Sequence, residues 1–239
     1  MKSVTKIGLV LILLLWNGKN CAQFNGTNFS LNANFSYTKT SKLYLQPNAS
    51  DEYSKGIHSN LTDILGGGIE LRMKISDYVF IGIGADYISK KDKITPLTVE
   101  SSYTETILVE DGYSVIPVEI SGYYLFPFSF KNVKIYMGGG AGLYFGRHIR
   151  NLGDISAETV NSDAGYGIHV LAGLDVFIND FLSIAGNIKF RDVEFSMSNK
   201  YDKTEGIYEG RLIRIITQDF DSKVSIDGVM FNIGIAYHF

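Results

Sequence analysis

The chain has 239 residues, with 22 Lys plus Arg against 25 Asp plus Glu and a formal net charge of -3. This balance excludes the basic surface that nucleic-acid binding needs, and the length suits one domain behind a short presequence. The mean hydropathy of +0.06 looks like that of a soluble protein. It is equally expected of a membrane barrel, whose strands alternate apolar and polar residues.

The first 22 residues are typical of a secretory signal peptide. Lys2 and Lys6 supply the positive start, residues 7–15 form an apolar run, and Ala22 is the best residue for cleavage. We therefore predict a signal peptide over 1–22 and a single domain over 23–239.

A lipoprotein signal is the alternative at Cys21, but bulky polar residues stand before that cysteine where small ones are normal. Cleavage after Ala22 also removes the only cysteine of the chain. The exported domain would then contain no disulfide, although its compartment permits one.

Eight segments alternate apolar and polar residues with a period of two, which predicts β-strands rather than helices. The clearest is the first, where Phe29, Leu31 and Phe35 oppose a face of Asn and Ser. In chain order the predicted strands cover 28–38, 61–74, 78–89, 113–126, 133–147, 166–176, 182–191 and 229–239.

The last predicted strand has one fully apolar face and ends on an aromatic residue, Phe239. A soluble protein rarely stops within a strand on an exposed Phe. A transmembrane barrel does so because its last strand pairs with its first and leaves no open edge.

The connections between these strands alternate in length. Long ones cover 39–60, 90–112, 148–164 and 196–222, and short ones cover 75–77, 127–132 and 178–181. All long connections fall at one end of the sheet, which is typical of surface loops opposite periplasmic turns. Apolar alternation persists in places such as 212–216, which leaves open that strands continue as hairpins beyond the membrane.

Aromatic residues stand at both ends of the predicted strands, as in the interfacial girdles of membrane barrels. On the loop side these are Tyr37, Tyr87, Phe145 and Tyr166, and on the turn side Tyr124, Phe126, Tyr237 and Phe239.

The segments 116–124, 138–145 and 234–239 carry a family resemblance. The chain resembles the small eight-stranded outer-membrane β-barrels of Gram-negative bacteria, the OmpA-like, OmpX-like and OmpW-like group, and especially the single barrels common in Bacteroidetes. The resemblance implies an all-β fold, an eight-stranded antiparallel up-and-down transmembrane β-barrel, located in the cell outer membrane. It also implies a monomer in contact with outer-membrane lipid and lipopolysaccharide, and an assembly signal read by the barrel-assembly machinery at Gly234, Tyr237 and Phe239.

The polar faces of the strands place a set of charged side chains inside the barrel. An eight-stranded barrel is only wide enough for its own side chains, so we expect these charges to pair and plug the lumen. The predicted lumen charge network consists of Glu70, Arg72, Asp86, Glu119, His169, Asp175, Lys189 and Arg191.

Function is expected in the surface loops, as adhesion or interaction, or in the integrity of the envelope. One alternative is OmpW-like binding or passage of small apolar molecules, which needs an apolar pocket in the outer half of the lumen. Another is a soluble, secreted, lipocalin-like barrel, in which the apolar faces would line an internal ligand cavity.

No catalytic site is expected. His148 is the nearest candidate for a lipid-modifying enzyme, but no Gly-x-Ser-x-Gly motif accompanies it. The histidines at 58, 148, 169 and 238 lack metal-ligand spacing, so neither a metal nor a cofactor is expected.

Overall fold

The computed structural model describes residues 28–101, 103–127, 130 and 132–239. The predicted signal peptide lies outside the described residues. The strands are β1 Phe29–Tyr44, β2 His58–Lys74, β3 Val79–Glu100, β4 Thr104–Leu125, β5 Val133–Leu152, β6 Ile155–Ser162, β7 Gly165–Asn179, β8 Leu182–Tyr201, β9 Glu205–Tyr208, β10 Arg211–Ile215, β11 Asp219–Ile226 and β12 Val229–His238. One short helix, α1, covers Glu52–Gly56.

Eight of these strands form a closed antiparallel ring. The order around it is β1, β2, β3, β4, β5, β7, β8 and β12, and β12 pairs back to β1. At the closing seam, the backbones of Phe29 and Phe239 exchange hydrogen bonds of 3.0 and 2.9 Å. The predicted up-and-down barrel of eight strands is confirmed.

The remaining strands lengthen the barrel at the loop end. Beyond a break at residues 163–164, β6 replaces β7 between β5 and β8. Beyond a second break at 227–228, β11 replaces β12 between β8 and β1. The pairing of the strands is therefore interrupted at two places around the barrel. The extended β-structure beyond the ring at the loop end is here called the upper lobe.

The four long connections are shorter than the sequence predicted, because strands continue through most of them. β3 and β4 pair as far as Glu100 and Thr104, deep inside the segment predicted as a loop at 90–112. Inward apolar residues such as Val99 and Val109 are buried there, which stabilises the extension. The sequence left open that strands continue as hairpins beyond the membrane, and they do; the predicted boundaries of the loops were wrong.

A hairpin of β9 and β10, here called the strap, lies across the loop end. Its turn is formed by Glu209 and Gly210, both with positive φ, as a tight two-residue hairpin requires. Strand β10 pairs with the end of β3 through Arg214 and Ile215. On the other side, the backbone N–H of Ile207 donates to Asp154, in the turn between β5 and β6. The strap therefore joins the end of β3 to the turn between β5 and β6.

The outer surface of the ring is apolar. One outward residue on each of the eight strands is between 50% and 67% exposed: Phe35, Ile69, Ile83, Ile120, Met137, Ile168, Ile188 and Ile233. A continuous exposed apolar band of this kind is not tolerated in water. This belt spans 29–37, 65–73, 79–87, 116–124, 137–145, 166–176, 184–190 and 229–237, and the predicted girdle residues lie at its two edges.

Among the described residues, no helix is long and apolar enough to cross a membrane.

Candidate functional site: the lumen

The first charge cluster lies inside the ring near the turn end. Arg72 Nε is 2.7 Å from Glu70 Oε2, and its Nη1 is 3.4 Å from Asp175 Oδ2. The guanidinium lies over two rings, 4.7 Å from the centre of Tyr123 and 5.1 Å from that of Tyr136. Tyr123 also donates its hydroxyl to Glu70. One cation thus serves two carboxylates, with aromatic rings covering its faces.

The second charge cluster occupies the middle of the ring and is centred on Glu119. Its carboxylate is 2.7 Å from Lys189 Nζ and 2.9 Å from Arg191 Nε, and it accepts a 2.6 Å hydrogen bond from Tyr144. Arg191, only 1% exposed, also pairs with Asp86 at 2.6 Å. Each charge is therefore buried with an opposite charge, which offsets the cost of desolvation.

His169 stands beside this cluster. Its Nε2 is 2.9 Å from the Ser121 hydroxyl, and its Nδ1 is 3.8 Å from Glu119. A cavity of about 20 Å³ remains between the two charge clusters. That space is about the size of one water molecule.

A lower apolar cluster fills the barrel above the charges. Its members come from β1, β2, β3, β4, β5, β8, β11 and β12, and all are 3% exposed or less. They are Leu43, Leu61, Ile64, Ile88, Tyr113, Val115, Tyr144, Val193, Phe195, Met197, Val224, Ile226 and Met230.

A polar layer, here called the histidine cluster, follows in the upper lobe. His148 Nε2 lies 2.8 Å from Asp111 Oδ1, and its Nδ1 lies 3.0 Å from the hydroxyl of Ser222. Arg150 donates to Asp111 at 2.6 Å and to Tyr201 at 3.1 Å. These side chains are all buried.

The charges of this layer are strongly coupled. Burial lowers the pKa of His148, although the Asp111 carboxylate acts in the opposite direction. Burial also disfavours the ionised form of Asp111, but contact with His148 and Arg150 outweighs it and holds the pKa of Asp111 well below its usual range. At neutral pH the layer therefore contains a neutral histidine and an Asp–Arg ion pair.

A cap cluster closes the lobe beneath the strap. It consists of Val99, Ile107, Val109, Leu152, Ile155, Tyr201, Ile213 and Ile215. The strap contributes Ile213 and Ile215, so its inner face belongs to the core of the lobe. Polar contacts fix its outer edge, among them Arg211 to Glu105 at 3.1 Å.

All eight residues of the predicted lumen network point inward; seven divide between the two charge clusters, and His169 lies beside the second. The sequence did not reveal the partners that complete them, such as the hydroxyls of Tyr123 and Ser121. It also missed the histidine cluster, because Asp111 and Arg150 were assigned to loops. The signal was present: the inward period of two in β5 runs on from Tyr144 through His148.

The three residues of the predicted assembly signal lie on the closing seam. Gly234 pairs with Asn34, and a Cβ at this position would meet the carbonyl oxygen of Ala33 at 2.3 Å. Tyr237 faces outward, and the ring of Phe239 stacks on Phe29 at 6.0 Å. All three therefore contribute to the contact between the first and last strands.

The described residues bear on the two alternative functions in different ways. The outer half of the lumen is apolar, as passage of apolar molecules requires, but its side chains pack against one another. The lipocalin-like alternative is wrong, because at belt level the charges face inward and the apolar residues outward.

Within the described part of the chain, no group of three His, Cys, Asp or Glu side chains could hold a metal ion. No family model and no curated protein matches the sequence.

Solved structures do match. The outer membrane protein OprG from Pseudomonas aeruginosa superposes with a TM-score of 0.59 at 12% identity, over 89% of this chain and 96% of that one. The chain has the fold of the small eight-stranded outer-membrane β-barrels. Neisserial surface protein A matches at 13% identity over 88% and 97% of the two chains, with a TM-score of 0.46. AlkL, determined in lipid bilayers, matches at 14% over 93% and 94%, with a TM-score of 0.47.

The apolar belt and this fold together place the protein in the outer membrane. In such barrels the short turns face the periplasm and the long connections face the exterior. The first charge cluster therefore lies at the periplasmic end, and the upper lobe with its strap is extracellular.

Proposed function

We propose that this outer-membrane barrel is sealed and that it acts through its extracellular lobe, in surface interaction, or through its contribution to envelope integrity. The observation that supports the proposal is the stack of layers inside it. Two charge clusters, two apolar clusters and the histidine cluster follow one another along the axis. A conducting pore would need a continuous polar path, and the apolar layers interrupt it.

Conductance tests the seal. Purified barrel in planar bilayers should give no reproducible ion steps, and removal of the strap by joining Lys203 to Gln218 with a Gly-Ser linker should not create them. The lower apolar cluster still closes the lumen in that variant. Steps from the wild-type barrel that disappear on changing Glu119 or Arg191 would contradict the sealed lumen.

The outer face of the strap supports the surface role. Ile207 and Leu212 are direct cross-strand partners, 58% and 66% exposed. Exposed apolar pairs on a rigid hairpin are suited to contact another surface. The described lobe thus presents an exposed apolar pair on a hydrogen-bonded hairpin.

Complementation of a deletion strain separates the two roles. If the barrel serves envelope integrity, wild type and the strapless variant should both restore detergent resistance. If it serves interaction, only wild type should restore surface attachment, and Ile207→Ser with Leu212→Ser should reproduce the defect. Val160→Ser is the matched control, since Val160 is equally exposed on β6. Failure of wild type to restore either property would rule the proposal out.

Catalysis forms no part of this proposal. Asp111, His148 and Ser222 do lie in contact, as in a hydrolase, but the serine hydroxyl is fully buried between two apolar layers. A substrate would have no route to the nucleophile, and Arg150 already binds the carboxylate.

We also infer that Phe239 aids assembly. Its ring and backbone contact Phe29 at the seam, where the ring of strands closes. Deleting Phe239 should lower the amount of protein in the outer membrane while export to the periplasm continues, as fractionation and a heat-modifiability gel would show. Unchanged outer-membrane levels would reduce Phe239 to an ordinary interfacial aromatic.

A further inference from the structure

An apolar groove of about 580 Å³ lies on the outer face of the belt. Strands β3, β4, β5 and β7 form it, and its lining includes Ile120, Ala141, Leu143 and Ile168. In the strand register Ala141 stands between Ile120 and Ile168, so a small side chain separates two large ones. Because the belt faces lipid, this groove is open to the acyl chains of the membrane.

A polar row lies just beyond the extracellular edge of the belt on three of the same strands. Ser89 is directly opposite Ser114, and Ser114 is directly opposite Arg147. Each is the first outward residue beyond the belt on its strand; Arg147 is exposed, and the two serines are partly exposed. Neighbouring strands are about 5 Å apart, so two hydroxyls and a guanidinium stand side by side at the level of the lipid headgroups.

The polar row has donors to spare. Among the described residues, Arg147 forms no ion pair. Lys91, the next outward residue on β3, pairs with Glu110 at 2.9 Å, but both side chains are exposed and such a pair contributes little. The hydroxyl of Ser89 donates a long 3.5 Å hydrogen bond to the Tyr113 carbonyl, which a stronger acceptor would replace. Two cations against one carboxylate make this side of the groove attractive to an anion.

The opposite margin of the groove has the opposite charge. Asp192, on β8, lines the groove, pairs in register with Ile168 and is exposed. An anionic headgroup above the groove is therefore repelled from the β8 side and attracted to the side of Arg147.

We propose that this surface binds one lipid of the outer leaflet whose headgroup carries a phosphate monoester. The phosphate oxygens accept hydrogen bonds from the guanidinium of Arg147 and from the hydroxyls of Ser89 and Ser114, a donor set that suits an anion with several oxygens. An acyl chain lies in the groove over Ala141.

The distance between the two parts fits one lipid molecule. Ala141 and Arg147 lie on the same face of β5, with Leu143 and Phe145 between them. Six residues of strand span about 20 Å, and a tilt of about 40° reduces this to about 15 Å of depth. That depth is about half of the ~30 Å hydrocarbon core, which is the thickness of one leaflet.

Probes with one diacyl body test the proposal: dimyristoyl phosphatidic acid and dimyristoylglycerol, with glycerol 3-phosphate as the soluble headgroup. Each is titrated into full-length mature barrel in nanodiscs of dimyristoyl phosphatidylcholine, with backbone amide NMR shifts followed for 87–91, 112–116 and 141–149. Phosphatidic acid alone should give saturable shifts. Their absence, or equal shifts with dimyristoylglycerol, would overturn the phosphate site, and equal shifts with glycerol 3-phosphate would overturn the role of the groove.

Arg147→Ala should weaken binding of phosphatidic acid about tenfold or more, the effect of losing a charge-assisted hydrogen bond. Lys39→Ala is the matched control. Lys39 is also an exposed cation and the first outward residue beyond the belt, but it lies on β1, which the groove does not reach. Binding should be retained there. Equal loss in both variants would reduce the effect to a general attraction between cations and anionic lipid and would overturn the site.

Ala141→Leu fills the groove and should weaken binding several-fold. Ala172→Leu makes the same change on β7, at a lipid-facing position outside the groove, and should leave binding unchanged. Both positions face lipid, so both variants should fold. Unchanged affinity in Ala141→Leu, or an equal loss in Ala172→Leu, would refute the groove as the seat of the acyl chain.

Discussion

Strand β8 runs through two regions of the molecule, the belt and the extracellular lobe, in which its apolar residues lie on opposite faces. Within the belt, Ile188 and Phe190 face outward and Lys189 faces the lumen. In the extracellular lobe, Phe195 faces inward and Glu194 faces outward. The strand keeps its period of two, but the apolar residues pass from one face to the other where the surrounding solvent changes from lipid to water.

Strand β4 shows the same exchange. In the belt Ile120 is exposed and Glu119 is buried, whereas in the lobe Val109 is buried and Glu110 is partly exposed. The lobe is therefore an ordinary water-soluble β-structure built on the extension of a membrane barrel. Its core adds an apolar seal above the charged lumen.

The largest expected effect comes from breaking the charged core of the belt. Glu119→Ala leaves Arg191 and Lys189 buried with too few partners, and should destabilise the barrel by about 3–5 kcal/mol. Unfolding in lipid vesicles, followed by urea titration, measures it. The lobe provides the control: Glu110→Ala breaks a pair with Lys91 at the surface and should cost less than about 1 kcal/mol. Similar losses from both would contradict a buried, paired lumen.

The outward face gives the next effect in size. Ile120→Lys places a charge against lipid and should cost about 2–4 kcal/mol if it lies near mid-membrane. Leu108→Lys makes the same change on the same face of β4, within the lobe, where Leu108 is exposed to water. That variant should change stability by no more than about 0.5 kcal/mol. Equal costs would place the boundary of the membrane elsewhere.

The smallest effect is expected from pH, through the histidine cluster of the lobe. The pKa of His148 is below its usual value, so the unfolded lobe binds a proton that the folded lobe does not, and stability falls as the pH drops below about 6.5. The low pKa of Asp111 adds a second loss as the pH falls through about 4.

Hydrogen exchange of strand amides tests this prediction. Protection of β10 and β11 should decrease between pH 7.5 and 5.5, after correction for the intrinsic exchange rate. His148→Gln should remove the change in this range and leave the loss near pH 4. A decrease of the same size in His148→Gln would contradict the assignment of the change to His148.

The sequence was sufficient to predict the strands of the belt, because one face of each strand must be apolar where it contacts lipid. Residues such as Phe35 and Ile233 therefore mark their strands without any help from tertiary contacts. The same alternation identified inward charges such as Arg191, since a strand allows only two directions.

The lobe was harder to predict for a physical reason. Where the apolar residues pass from the outward to the inward face of a strand, the alternation of apolar and polar residues is interrupted. Such a segment is then predicted as a loop. The strand breaks at 163–164 and 227–228 disturb it further. The pairing within the lumen depends on which strands lie across the barrel from one another. Contacts such as that between Arg72 on β2 and Asp175 on β7 come from closure of the ring.

The seam between β1 and β12 has a kinetic consequence. These strands are the first and last in chain order, so their pairing is among the most non-local contacts in the molecule. Until β12 arrives, β1 has one unpaired edge, and every inward charge is open to water. Pairing of β12 with β1 therefore removes the last open edge of the ring and encloses the inward charges in the same event.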